Sequence, residues 1–377
     1  MAIAVSSGVA PEQGLVAAIV GGFVVSALSG SRFQIGGPAG AFIGLVAAAV
    51  GRIGLEGVVT AVFMSGAMLA LMGVLRIGSL VRRIPHAVTI GFTGAIAVTI
   101  LASQVKDLCG LKLAGAEPSH LVAKLETLAG AASTFNLHAF GVGVGAAFLI
   151  LFLRKVRPAW PSMLIAVALA AAFAAFAHLP IETIASRFGG IPRGLPAPSV
   201  PALSWDALAR ALPTAVSFTL LGAIESLLSA KVADSMTGRE HRSNMELIGQ
   251  GAANIAAACF GGICVTGTIA RTATNIRAGA QSPLAGIMHS LLLLAFMLVA
   301  APLAGYVPLA ALAGVLVVVA WNMAEKAEFA RLVTSWRTAP AILATFAVTL
   351  ASDLSLGVLA GCVAAILTAW LAKPPRP

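Results

Sequence analysis

Apolar runs of about 18 residues or more recur along the whole chain, and most of the charge lies in the short segments between them. A run of that length crosses the hydrocarbon of a bilayer as a helix, because every backbone N–H and C=O there must be satisfied inside the segment. The chain therefore reads as an all-α polytopic membrane protein with the lipid bilayer as its solvent. Only 10% of its residues are charged and 59% are hydrophobic, so the fold question is one of counting spans. A net charge of +10 would point a soluble protein towards nucleic acid, but here the basic residues flank apolar runs and act as topology signals. No nucleic-acid partner follows from them.

Residues 263–280, ICVTGTIARTATNIRAGA, interrupt the pattern. A short β-like run, Ile263 to Val265, meets Thr266-Gly267-Thr268, where a helix is predicted to start. Non-helical backbone at membrane depth is tolerated only where protein buries it or where it lines a cavity. The unpaired amides and positive dipole end of such a helix, with Arg271 one turn further on, suit an anion.

Residues 12–50 repeat the design. A helix begins near Glu12, as another does near Glu246, and is followed by the break Gly36-Gly37-Pro38-Ala39-Gly40-Ala41-Phe42 and a half-length helix to Val50. Pro38 is predicted as the first residue of that helix, where its missing N–H costs nothing. Paired interrupted segments in the two halves of a membrane chain point to a transporter site.

Spans are predicted near 55–75, 86–105, 137–153, 161–178, 213–231, 283–304, 307–323, 339–352 and 355–372, with residues 1–9 the tail of another. The connections 106–136 and 179–212 read as loops with short surface helices, and 324–338 as an interfacial amphipathic helix. With Gly8 to Glu12 outside, 16 of the 24 basic residues share one face, Arg82, Arg83, Arg154, Lys155, Lys373 and Arg376 among them. The positive-inside rule makes that face, and the carboxyl terminus with it, cytoplasmic.

Two charged residues lie inside apolar segments. Glu225, near the middle of its span, is a functional candidate by default, with proton carriage as its role and a structural hydrogen bond as the bland alternative. Arg271 could hold substrate, supply positive potential from behind the half-helix, or pair with Glu225; background potential is favoured, since its side chain need not face the cavity. Gly36 and Gly37 could let backbone approach a ligand, whereas Gly40 is better explained by packing. Of Thr266, Thr268, Thr272 and Thr274, only Thr268 is well placed to offer a hydroxyl.

Cys109, Cys259, Cys264 and Cys362 form no CxxC pair and His289 stands alone, so no disulfide, metal or cofactor is assigned. There is no nucleophile elbow, Walker lysine or nucleotide-binding glycine fingerprint, and hence no sign of an enzyme or an ATP-driven pump.

The stretches SGVAPEQGL, SRFQIGGPAGAF, LLGAIESLLSAKVAD, NMELIGQGAANIAAACFGG and VTGTIARTATNIRAGAQSPLAG resemble the SulP family of anion transporters, the sulfate permease group, over nearly the whole chain. The resemblance implies a UraA-like fold of two inverted repeats of seven segments. It implies a core domain (1–76 and 213–304), a gate domain (77–212 and 305–377) and an elevator mechanism. Anion would bind between half-helices 3 and 10, at Gly37, Pro38, Ala39, Gly40, Ala41 and Phe42 and at Gly267, Thr268, Ile269, Ala270 and Arg271, facing Glu225.

Met1 falls near the end of the family's first span, and the chain stops at KPPRP where members usually continue into a STAS domain, so 13 full segments and a remnant of segment 1 are expected. The implied protein is a homodimeric secondary carrier of sulfate, bicarbonate or a dicarboxylate such as fumarate, coupled to H⁺ or Na⁺ or working by exchange, in a bacterial inner membrane. The alternatives are a nucleobase permease of the same fold and an inactive truncated membrane protein. The first is disfavoured because segment 10 offers threonines and Arg271 rather than an acid.

Overall fold

The computed structural model describes residues 1–78, 85–115, 117–118, 121–158, 160–352 and 354–371, without the side chains of Leu354 and Ser355. Arg82, Arg83, Lys373 and Arg376, expected on the cytoplasmic face, lie outside the described residues. The chain divides into two compact units, essentially residues 3–84 with 192–301 (unit 1) and 85–191 with 302–377 (unit 2). Residues 192–212, expected with the gate, group with unit 1.

Unit 1 opens with α1 (Ala2–Ser6) and α2 (Pro11–Val16), which continues through a π-helical turn (Ala17–Gly21) into α3 (Gly22–Leu28). After the extended pair β1 (Gly36–Gly37), a 3₁₀ turn (Gly40–Phe42) leads into α4 (Ile43–Val74). Pro38 is therefore not the first helical residue. It lies between β1 and the turn, Ala39 caps the turn in extended backbone at φ −110° and ψ 148°, and the helix begins two residues later than predicted. Gly54, at φ 68°, breaks α4 into a half-helix and a full span; a side chain there meets no steric obstacle, so conformation alone asks for glycine.

Unit 2 contributes α5 (His86–Cys109), α6 (Leu121–Gly130), α7 (Leu137–Val156), α8 (Ser162–Phe176) and α9 (Ile184–Phe188). The chain returns to unit 1 with α10 (Trp205–Thr237), α11 (Ser243–Cys259), β2 (Thr266–Gly267), α12 (Ile269–Arg277) and α13 (Leu284–Ala304). Helix α10 starts eight residues before the predicted span, because Ser204 caps it by accepting from the Ala207 amide at 3.3 Å. Unit 2 closes with α14 (Leu309–Met323), α15 (Lys326–Val333), α16 (Ala339–Ala351) and α17 (Leu354–Leu371).

Among the described residues, seven helices are long and apolar enough to cross a bilayer, and three shorter apolar ones lie at Ser162–Phe176, Ala339–Ala351 and Leu356–Leu371. Apolar side chains such as Leu292, Val299 and Leu303 project from α13, as lipid-facing positions do. Lipid tails are as apolar as leucine, so close packing rather than the hydrophobic effect holds such helices together. In unit 1 α4 and α11 meet through glycine: a Cβ on Gly66 would stand 2.7 Å from the Gly251 carbonyl, and one on Gly251 would stand 2.5 Å from that of Gly66. Leu69, Ala223, Leu227 and Leu247 then close the seam between α4, α10 and α11.

Candidate functional site

Both breaks belong to unit 1, and they meet. Gly36 pairs with Gly267 and Gly37 with Thr266 in an antiparallel two-stranded ribbon. The predicted β-like run Ile263 to Val265 is thus displaced by three residues: it is the buried lead-in, and the paired residues are Thr266 and Gly267. The Thr268 amide extends the ribbon by donating to the Ile35 carbonyl at 3.1 Å, and α12 starts immediately after Thr268 as predicted. The first bond within α12 runs from the Thr272 amide to the Thr268 carbonyl at 2.9 Å, which leaves the amides of Ile269, Ala270 and Arg271 at its open end.

Arg271 crosses from α12 to the other break. Its Nη2 donates to the Pro38 carbonyl, and its Nη1 lies so near Gly37 that a Cβ there would approach to 2.6 Å. This differs from the expected arrangement, in which the side chain need not point inward. The reason is the ribbon, which brings the carbonyl of Pro38 within a guanidinium's reach. Gly37 has φ 147° and no room for a side chain, so the charge sits directly against backbone.

Glu225 projects from α10. Its Oε2 is buried with no hydrogen-bond partner, and the carboxylate and the Arg271 charge act on each other without forming an ion pair among the described residues. An unpartnered carboxylate oxygen is costly in such surroundings. Phe42 packs edge-on against Phe218 of α10, with ring centroids 5.8 Å apart. Ala270 is exposed and Gly40, Ile269 and Arg271 are half-buried, whereas Ala39, Ala41 and Gly267 are covered.

The four threonines are all engaged within the protein. Thr268 Oγ1 donates to the Ile35 carbonyl at 3.0 Å, so the hydroxyl predicted as free for an anion instead ties the two breaks together. Thr272 Oγ1 accepts from the Ile35 amide at 3.2 Å, Thr266 Oγ1 donates to the Gly222 carbonyl at 3.4 Å and Thr274 Oγ1 donates to the Ala270 carbonyl at 2.8 Å.

Sequence reading missed three residues of α11. Glu246, Gln250 and Asn254 recur every fourth residue and so form one stripe along that helix. Glu246 Oε2 accepts from the Ser31 amide at 3.2 Å, and its Oε1 accepts from Gln34 Nε2 at 2.9 Å and Ser226 Oγ at 2.7 Å. Asn254 clasps the Val265 backbone at both ends, donating to its carbonyl at 2.8 Å and accepting from its amide at 2.9 Å, while Gln250 donates to the same carbonyl. The signal was present as a polar stripe on a small-residue helix, but Ser31 and Gln34, the partners of Glu246 in the other break, lie 215 and 212 positions away.

A family model described as the sulfate permease family matches residues 1–349 of this chain. The chain belongs to the sulfate permease family. Among its relatives in this family, YvdB of Bacillus subtilis (strain 168) is 42% identical over 371 residues, covering 97% of this chain and 69% of YvdB. The bicarbonate transporter BicA of Picosynechococcus sp. is 31% identical over 325 residues, covering 84% of this chain and 57% of BicA. The chain thus spans between just over half and about two thirds of the length of these relatives. The solved transmembrane domain of a cyanobacterium bicarbonate transporter BicA superposes with a TM-score of 0.82 at 29% identity, covering 97% of this chain and 92% of that domain. SLC26A9 superposes with a TM-score of 0.89 at 18% identity, covering 100% of this chain and 63% of that one, which speaks for the fold alone. The chain is a multi-pass membrane protein with the UraA-like fold of these transporters.

Proposed function

We propose that the chain carries a small anion, sulfate, bicarbonate or a dicarboxylate such as fumarate, across a bacterial plasma membrane as a secondary transporter. One observation carries this reading: Arg271 is held by a backbone carbonyl at the junction of two broken elements, beside the open amide end of α12. A fixed positive charge and unpaired N–H groups in low dielectric attract an anion. Glu225 supports ion coupling. A proton or Na⁺ on its unpartnered carboxylate would neutralise that negative charge, so cation and anion would favour each other's binding reciprocally.

Both breaks lie in unit 1, which supports an elevator-type cycle in which that unit carries the anion as the core and unit 2 serves as the gate. The relatives' names, and the family's, favour sulfate or bicarbonate over fumarate. A homodimer belongs to the same proposal, and the concentration of basic residues on one face supports a carboxyl terminus inside. The test is uptake of labelled sulfate, bicarbonate and fumarate into proteoliposomes, with and without an inward proton or Na⁺ gradient, for the parent and Arg271→Ala. Uptake of one anion that Arg271→Ala reduces by tenfold or more is expected; equal uptake by the variant would refute the role of Arg271.

A further inference from the structure

A buried chain of hydrogen bonds ends on the residues next to both charged groups of the site. Gln34, 2% exposed, lies two residues before β1. Its Nε2 donates to Glu246 Oε1 at 2.9 Å and to the Ser226 carbonyl at 3.1 Å, and its Oε1 accepts from Ser229 Oγ at 3.1 Å. Ser229 Oγ lies 3.2 Å from Thr272 Oγ1, which takes the Ile35 amide at 3.2 Å. Ser226 directly follows Glu225, Thr272 directly follows Arg271, and Ile35 directly precedes β1.

The direction of this chain is forced. Both N–H groups of Gln34 point at acceptors, so its oxygen must accept the single proton of Ser229. Thr272 must then donate to Ser229, which leaves its oxygen for the Ile35 amide. Glu246, 0% exposed, sets this polarity because both of its oxygens accept, one from the Ser31 amide and the other from Gln34 and Ser226.

We propose that Glu246 and Gln34 are positioning residues for anion transport: together they fix Glu225, Arg271 and the two breaks in one frame. This rests on the anion-carrier reading above. Glutamine at 246 cannot reproduce the arrangement. With its oxygen at the Oε1 position, its NH₂ faces the Ser31 amide, donor against donor. Turned over, it confronts the NH₂ of Gln34, and flipping Gln34 would set its oxygen against the Ser226 carbonyl.

The experiment compares parent, Glu246→Gln and the milder Ser229→Ala by anion-uptake kinetics in proteoliposomes, and by hydrogen exchange over residues 33–38 and 265–272 in the full chain. Expected are a KM raised about tenfold or more for Glu246→Gln and about threefold for Ser229→Ala. Exchange protection should fall over both breaks together while α13 keeps its own. A purely structural role would lower the amount of active protein and the melting temperature but leave KM at the parental value. That outcome, or loss of protection at one break only, overturns the proposal. Failure of the parent itself to move any anion would overturn the carrier reading, and the exchange pattern still decides whether Glu246 holds the frame.

Discussion

Gly267→Ala tests the frame at its tightest point. The added methyl would stand 1.6 Å from Gln34 Nε2 and 2.4 Å from its Cδ, far inside contact distance. Strain in the backbone is not at issue, since Gly267 has no left-handed φ. Gln34 is buried and held at 2.9 Å, 3.1 Å and 3.1 Å by Glu246, Ser226 and Ser229, so to yield it must release all three. A hydrogen bond to a carboxylate is worth about 1.5–3 kcal/mol and a neutral one about 0.5–1.5 kcal/mol, so displacement costs about 2.5–6 kcal/mol. Each 1.4 kcal/mol is about tenfold in affinity, so even if half the low figure falls on the binding-competent arrangement, anion affinity drops by about tenfold. Calorimetric titration of the purified protein reads this directly. Because the steric conflict exists only while Gln34 is present, adding Gly267→Ala to a Gln34→Ala background should cost little more, a clear failure of additivity. Parental affinity in Gly267→Ala, or simple additivity in the double variant, would refute the reasoning.

Three further outcomes are expected. Glu225→Gln keeps the volume of the side chain but removes its charge, so stimulation of uptake by a proton gradient should vanish while exchange of bound anion persists; continued stimulation in the gradient assay would remove Glu225 from coupling. Helix α7 contains three glycines of different standing: Gly141→Ala and Gly145→Ala meet open space and should leave thermal stability unchanged or slightly raised, whereas Gly143→Ala, 2.5 Å from Leu108 Cδ1 and 2.8 Å from the Ala310 carbonyl, should lower the melting temperature measurably. Asn136→Ala removes the side chain that accepts from the His138 and Ala139 amides at 2.9 and 3.1 Å and donates to the Pro180 carbonyl at 2.9 Å; a loss of about 1 kcal/mol in a denaturation series is expected.

The spans, the two interruptions and the start of α12 just after Thr268 were legible in the chain alone, and Glu225 and Arg271 stood out there as candidates. The bilayer makes them so: it demands long apolar helices, and it makes every charge and every gap in a helix expensive enough to stand out. Local cues were weaker guides where tertiary partners override them. Pro38 looks like a helix start, yet its carbonyl is engaged by Arg271 and the helix waits until Gly40. Thr268 looks like a free hydroxyl, yet it is committed to Ile35. Only the tertiary structure decided that β1 and β2 pair with each other, that Arg271 points across that pairing, and that Gln34 and Glu246 join around it. Those two residues are 212 positions apart, and a hydrogen bond over such a distance leaves no periodicity, spacing or composition by which the chain could announce it.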